Sequence, residues 1–198
     1  RVTQALFDTA GEALPFQPLW LDVTDMDIID VVAVTDALAF TGSTSTGVQL
    51  AALAGGCLKK SVLELGGSNA FNVLDDADLA QAAADACYSR FRDAGQSCNA
   101  AKRIIVTAAV ADEFTRLFLQ ECGYLKSGDP MQADTTLAPL HRKDLQQTVH
   151  AQVEDALANG ARLLLGGSLP EGEGTFYPAT VLTGITPACR MYHEEVFG

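Results

Sequence analysis

The chain has no C-x-x-C pair and no regular cysteine spacing; its five cysteines stand at 57, 87, 98, 122 and 189. That odd, irregular set argues against a disulfide framework and against a zinc-ligand pattern, and it fits a reducing cytoplasm. Positive charge is scarce, with 13 basic residues against 25 acidic ones and a formal net charge of -12. The acidic residues are scattered, which describes a solvated surface and speaks against nucleic acid or an anionic membrane as partner. Also missing are an apolar run of membrane length, a basic-then-apolar leader, an internal repeat and a low-complexity tract. Neither a G-x-G-x-x-G order nor a Walker lysine occurs. The first residue is Arg1, in what reads as the tail of a helix, and the last residues are "EEVFG", as expected of a fragment.

What is present is ordinary globular material: 198 residues, 48% hydrophobic and 19% charged, enough for a real core. Short β-branched or aromatic runs, "VVAVTDALAF" (31–40), "SVLEL" (61–65), "AFNVL" (70–74) and "RIIV" (103–106), read as strands. Between them "TSTGVQLAALAGG", "DADLAQAAADACYSRF" and "AAVADEFTRLFLQEC" have helical spacing, the second opened by acidic capping residues. A further helix is predicted around 141–159, followed by strands in "ARLLLGG" and "TFYPATVL". Alternating strands and helices predict an α/β fold with a largely parallel, covered sheet. The one compositional seam is the pair Gly66-Gly67.

Three stretches could carry chemistry. In "FTGSTSTG" a strand runs into Gly42 and Ser43, with Gly47 in the first turns of the next helix. Free N–H groups at a helix start suit a phosphate, but Gly and Ser are also default turn residues. In "SVLELGG" Glu64 sits in an apolar strand before two glycines. It is either a strand-end carboxylate facing solvent or, if buried, a carboxylate with a raised pKa suited to general-base work. In "GQSCNAAKR" Cys98 follows a Gly-Gln turn, where backbone N–H groups could stabilise a thiolate and then an oxyanion. The other four cysteines read as inert core or loop residues. The three histidines, 141, 150 and 193, stand in no recognisable thiol-hydrolase setting.

Taken together, "FTGST", "LELGGSNAFNVLDDADL", "GQSC", "SGDP", "GARLLLGG", "YPATVL" and "EEVFG", in this order, resemble the aldehyde dehydrogenase superfamily over nearly the whole chain. The separations agree, 34 positions from Glu64 to Cys98 and 97 from Cys98 to Glu195. The resemblance implies the end of a Rossmann-type cofactor domain (1–66) followed by a truncated, open α/β catalytic domain (67–198). It implies a Cys98 thiolate that attacks an aldehyde to give a thiohemiacetal, hydride transfer to NAD or NADP, and hydrolysis of the thioester by water that Glu64 deprotonates. By the same resemblance Gly42, Ser43, Gly47 and Leu65 line the cofactor, Glu195 holds its nicotinamide ribose, Phe197 packs near the ring, and the Cys98 N–H is an oxyanion donor. No metal is implied. The full-length protein is expected to be a cytoplasmic homo-oligomer acting on a small aldehyde. Its second oxyanion donor and a ribose-binding lysine would precede Arg1, and an oligomerisation strand would follow Gly198.

Within the superfamily, "RFRDAGQSCNAAKRIIV" is most similar to succinate-semialdehyde dehydrogenases. Arg92, six positions before Cys98, matches an arginine that holds the substrate carboxylate there; otherwise it is a surface arginine. Asp93 stands where asparagine is usual, and pointed inward it would oppose thiolate formation. Ala138 replaces a usual glycine in "LAPL", a loop adjustment. Two other readings stand beside dehydrogenase activity: a catalytically inactive module, and a cofactor-independent thiol esterase using Cys98 and Glu64.

Overall fold

A computed structural model describes residues 28–198, so the helix tail expected at Arg1 lies outside the described residues. The chain divides into two compact units between Leu65 and Gly66. The described residues form a mixed α/β structure with helices and strands interspersed along the chain.

The described part of the first unit holds α1 (Ile28–Val34), β1 (Ala37–Thr41), α2 (Thr44–Gly56) and β2 (Lys60–Glu64). β1 and β2 pair in parallel, with Thr41 opposite Glu64. The run "VVAVTDALAF" is thus helix up to Val34 and strand only from Ala37, contrary to the strand predicted for all of it. A short apolar run carries no period that separates a buried helical turn from a strand. Here Val32 is buried while Val34 is 85% exposed, the one-sided pattern of a helix. Thr35 Oγ1 donates to Val32 O at 3.1 Å across the helix end. α2 begins where its sequence signals a start: Ser43 is extended (φ -68, ψ 147) and its hydroxyl accepts from Thr46 N at 3.2 Å. Such a cap is worth about 1 kcal/mol.

The second unit opens with β3 (Asn69–Val73), then α3 (Leu79–Phe91), β4 (Ala101–Val106), α4 (Ala111–Gly123), α5 (Lys143–Ala158), β5 (Arg162–Leu165), β6 (Val181–Thr183) and α6 (Arg190–His193). Asp78 caps α3 by accepting from Gln81 N at 3.1 Å. Ala83, Ala86, Cys87 and Phe91 form one buried face of α3, and Phe114, Phe118 and Cys122 one buried face of α4. The two faces pack together in the main core, where the Phe114 and Phe118 rings stack with centroids 5.8 Å apart. Burying each phenyl contributes about 1.5–3 kcal/mol.

β3 and β4 are parallel, joined by the α3 crossover, whereas β5 and β6 are antiparallel. The largely parallel expectation fails at that last pair because no helix separates β5 from β6. A parallel return needs a crossover, and residues 166–180 form only loop. The strand predicted in "TFYPATVL" shrinks to Val181–Thr183, since Pro178 has no N–H to donate to a ladder. Among the described residues, no helix is long and apolar enough to cross a membrane.

Candidate active site

In the first unit, the residues expected to line a cofactor gather at the β1–α2 turn. Gly42 N donates to Glu64 O at 3.0 Å, which ties the turn to the end of β2. A Cβ on Gly47 would stand 2.5 Å from Leu65 Cδ2, so only glycine lets Leu65 lie over the first turn of α2. Gly42, Ser43, Thr44 and Ser45 are all exposed. The N–H groups of Thr44 and Ser45 lie in the first turn, where a helix offers no carbonyl four residues back. An open, dipole-favoured amide cradle beside small residues fits the phosphates of a dinucleotide. Glu64 is exposed at the end of β2.

In the second unit, the loop between α3 and β4 carries Cys98. α3 ends in a left-handed turn in which Asp93 (φ 54), Ala94 (φ 54) and Gly95 (φ 75) follow one another. Two non-glycine residues in that region cost roughly 1–2 kcal/mol each, somewhat less for Asp. The turn is held by Gln96, whose side chain donates to Asp93 O at 3.1 Å and accepts from His141 N at 2.8 Å. Beyond it Cys98 is exposed, whereas Cys87, Cys122 and Cys189 are buried and Cys57 is half-buried; all five are free thiols.

Arg92 is half exposed beside this loop. Its Nε lies 3.4 Å from Asp93 Oδ2, and its guanidinium sits 5.9 Å from the Tyr88 ring centroid. Contact with Tyr88, then the Asp93 carboxylate, holds the guanidinium above its ordinary pKa. Arg92 and Tyr88 line a pocket of about 160 Å³ together with Ser97 and Asn99, the residues on either side of Cys98. Asp93 therefore meets Arg92 and solvent, with 68% of its side chain exposed.

The glycine pair lies close to both Cys98 and Glu195. A Cβ on Gly67 would stand 3.3 Å from Cys98 O, and one on Gly66 would collide with Glu195 Oε2. Glu195 follows α6 in an extended segment. Gln152, 2% exposed on α5, holds that segment by donating to Glu194 Oε2 at 3.0 Å and to Glu195 O at 3.1 Å. Phe197 is half-buried in the same segment. Cys98 O and the Glu195 carboxylate thus lie against the two adjacent glycines, Gly67 and Gly66.

Sequence reasoning missed Lys102. Its side chain is 2% exposed, and its ammonium donates to Ser97 O at 2.8 Å, Cys98 O at 3.0 Å and Glu195 Oε1 at 2.8 Å. The signal available was a lysine four positions after the cysteine, alternating with exposed Arg103 in an otherwise apolar strand. Arg90 was passed over too; burial lowers its pKa to about 10 despite the nearby Glu195 charge.

Comparison with known proteins shows the family. The aldehyde dehydrogenase family model matches residues 29–198, and the chain belongs to that family. It is 48% identical over 162 residues to the succinate semialdehyde dehydrogenase [NAD(P)+] Sad of Escherichia coli (strain K12), covering 82% of this chain and 35% of that protein. It is 40% identical over 196 residues to a succinate-semialdehyde dehydrogenase [NADP(+)] of Deinococcus radiodurans, covering 98% of this chain and 41% of the relative. The chain thus spans about two fifths or less of these relatives. Among solved structures it resembles a succinate-semialdehyde dehydrogenase from Burkholderia pseudomallei, with TM-score 0.80 and 38% identity over 84% of this chain and 34% of that one. A 3,6-anhydro-L-galactose dehydrogenase in complex with NADP gives TM-score 0.82 and 36% identity, over 86% of this chain and 37% of that chain.

Proposed function

We propose that the full-length protein containing this chain oxidises a carboxylate-bearing aldehyde, such as succinic semialdehyde, to the acid with NAD or NADP. The observation that carries this reading is the exposed Cys98 thiol, whose neighbours Ser97 and Asn99 line one pocket with Arg92. A guanidinium in a small pocket lined by the residues on either side of the nucleophile suits a short molecule with an aldehyde at one end and a carboxylate at the other. The printed names of the relatives support the same substrate class.

In this reading the Cys98 thiolate attacks the aldehyde carbon, and the Cys98 N–H donates to the oxygen that becomes negative. A nicotinamide cofactor, when bound, supplies the hydride acceptor that turns the thiohemiacetal into a thioester. Glu64 takes a proton from water, which adds to the thioester; the C–S bond then breaks and returns the Cys98 thiolate. Gly42, Ser43 and Gly47 would hold the phosphate end of the cofactor, Leu65 would line it, Glu195 would hold its nicotinamide ribose, and Phe197 would pack near its ring. A cytoplasmic homo-oligomer is part of the proposal, and the five free thiols support a reducing compartment.

The test is growth of reduced-cofactor absorbance with succinic semialdehyde in the full-length enzyme. Cys98→Ser should abolish it. Glu64→Gln should leave a burst of reduced cofactor followed by slow turnover, because it removes the base and leaves the nucleophile. Ester hydrolysis without nucleotide and no dehydrogenase activity would favour a thiol esterase, and no activity at all a non-catalytic module.

A further inference from the structure

Lys102 is a buried cation with three protons to donate, and each is used. Two go to the carbonyls of Ser97 and Cys98, the third to Glu195 Oε1. The Ser97 carbonyl also accepts from Ala100 N at 3.2 Å, so its direction is fixed twice. In a trans peptide the N–H points opposite to the C=O. Pulling the Ser97 carbonyl toward Lys102 therefore turns the Cys98 N–H away from it, and pulling the Cys98 carbonyl does the same to the Asn99 N–H. Among the described residues neither of these two N–H groups has an acceptor. An unpaired Cys98 N–H next to an exposed thiol is the kind of donor a developing oxyanion requires, and the Asn99 N–H is left open beside it. The same ammonium fixes one oxygen of Glu195, while the other lies against Gly66.

We propose that Lys102 is a positioning residue that sets the nucleophile loop and the Glu195 carboxylate to each other. Oxyanion stabilisation at Cys98 and cofactor capture at Glu195 then depend on one side chain. This rests on the dehydrogenase reading above. Lysine meets the need because its ammonium is a compact charge whose three protons diverge toward separate acceptors, whereas arginine spreads its donors over a planar fork. The sequence gap between Lys102 and Glu195 is 93 positions, so the pair also ties the end of the chain's second unit to β4.

The experiment uses full-length enzyme carrying Lys102→Met, Lys102→Arg, Glu195→Gln and the Lys102→Met/Glu195→Gln pair. Readouts are the single-turnover rate of cofactor reduction, the cofactor Kd by fluorescence titration, and Tm. Lys102→Met should slow single turnover about 100-fold, the scale of losing an oxyanion donor, and weaken cofactor binding about tenfold. Lys102→Arg should fold and show the same two losses in milder form. Glu195→Gln should cost much less cofactor affinity in the Lys102→Met background than in wild type, because the carboxylate is already displaced. Folded variants with lowered Tm but wild-type single-turnover rate and Kd would make Lys102 purely structural and overturn the proposal. Additive effects in the double variant, or loss of folding in both lysine variants, would overturn it as well. Wild-type enzyme that reduces no cofactor with any aldehyde would overturn the dehydrogenase reading; an active wild type with unaffected variants overturns only the Lys102 assignment.

Discussion

The Glu195 carboxylate occupies the space that a side chain on Gly66 would need. No left-handed backbone forces glycine there, so the requirement is steric. Gly66→Ala should displace Glu195 and cost about 1–3 kcal/mol of stability, the usual range for overpacking. Cofactor affinity in the full-length enzyme should fall with it. Gly55→Ala is the control: it lies within α2 with nothing within 4 Å of the added methyl. There a gain of about 0.5–1 kcal/mol is expected. Denaturant melts of the two variants make the comparison, and equal stabilities would refute the steric account.

Arg92 shares its guanidinium between the Tyr88 ring and Asp93. If it binds the distal carboxylate of the substrate, Arg92→Ala should lower kcat/KM for succinic semialdehyde about tenfold or more. A neutral aldehyde of similar length should lose far less. Asp93→Asn should act in the opposite direction, raising kcat/KM about twofold, because it removes a competing carboxylate from an exposed pair that is itself weak. Equal losses for both aldehydes in Arg92→Ala would leave the family assignment standing and remove the argument for a semialdehyde.

Thiol reactivity should separate the five cysteines sharply. Iodoacetamide should label Cys98 first, since it is exposed and the thiols of Cys87, Cys122 and Cys189 are buried. Contact with Cys87, and then burial, raises the Cys122 thiol well above its ordinary value, which leaves it protonated at neutral pH. Peptide mapping after brief alkylation reads the order. Preferential labelling of Cys57 or Cys122 would contradict it.

Acidification should weaken the segment that carries Glu195. The carboxyl of Glu194 is held below its ordinary pKa by hydrogen bonds from Arg190 and then Gln152. Its contribution to stability is therefore present above the unfolded value, about 4.3, and lost as pH falls through the lower folded value. The group is partly exposed, so the contribution is below about 1 kcal/mol. The stability gap between wild type and Glu194→Gln in urea should close between roughly pH 5 and 3. A gap that persists at pH 2.5 would mean the contacts do not depend on the charge.

The sequence by itself determined the elements whose signals are local. Ser43 and Asp78 cap α2 and α3 by reaching N–H groups three positions away, and the buried faces of α3 and α4 follow helical spacing. The ordered motifs around Cys98 were legible as family membership for a related reason: each is a run of adjacent residues. Only the tertiary structure decided the rest. "VVAVTDALAF" became part helix because its packing, not its composition, selected which apolar residues turn inward. β5 and β6 ran antiparallel because the intervening loop formed no crossover. Asp93 pairs with Arg92 because a left-handed turn directs it there. For Lys102 the sequence offers only a lysine in an apolar strand, without its contacts, because its partners come from its own loop and from a segment 93 positions away. Convergence of that kind has no period and no spacing; it exists only once the core of the second unit has brought β4 and the Glu195 segment together.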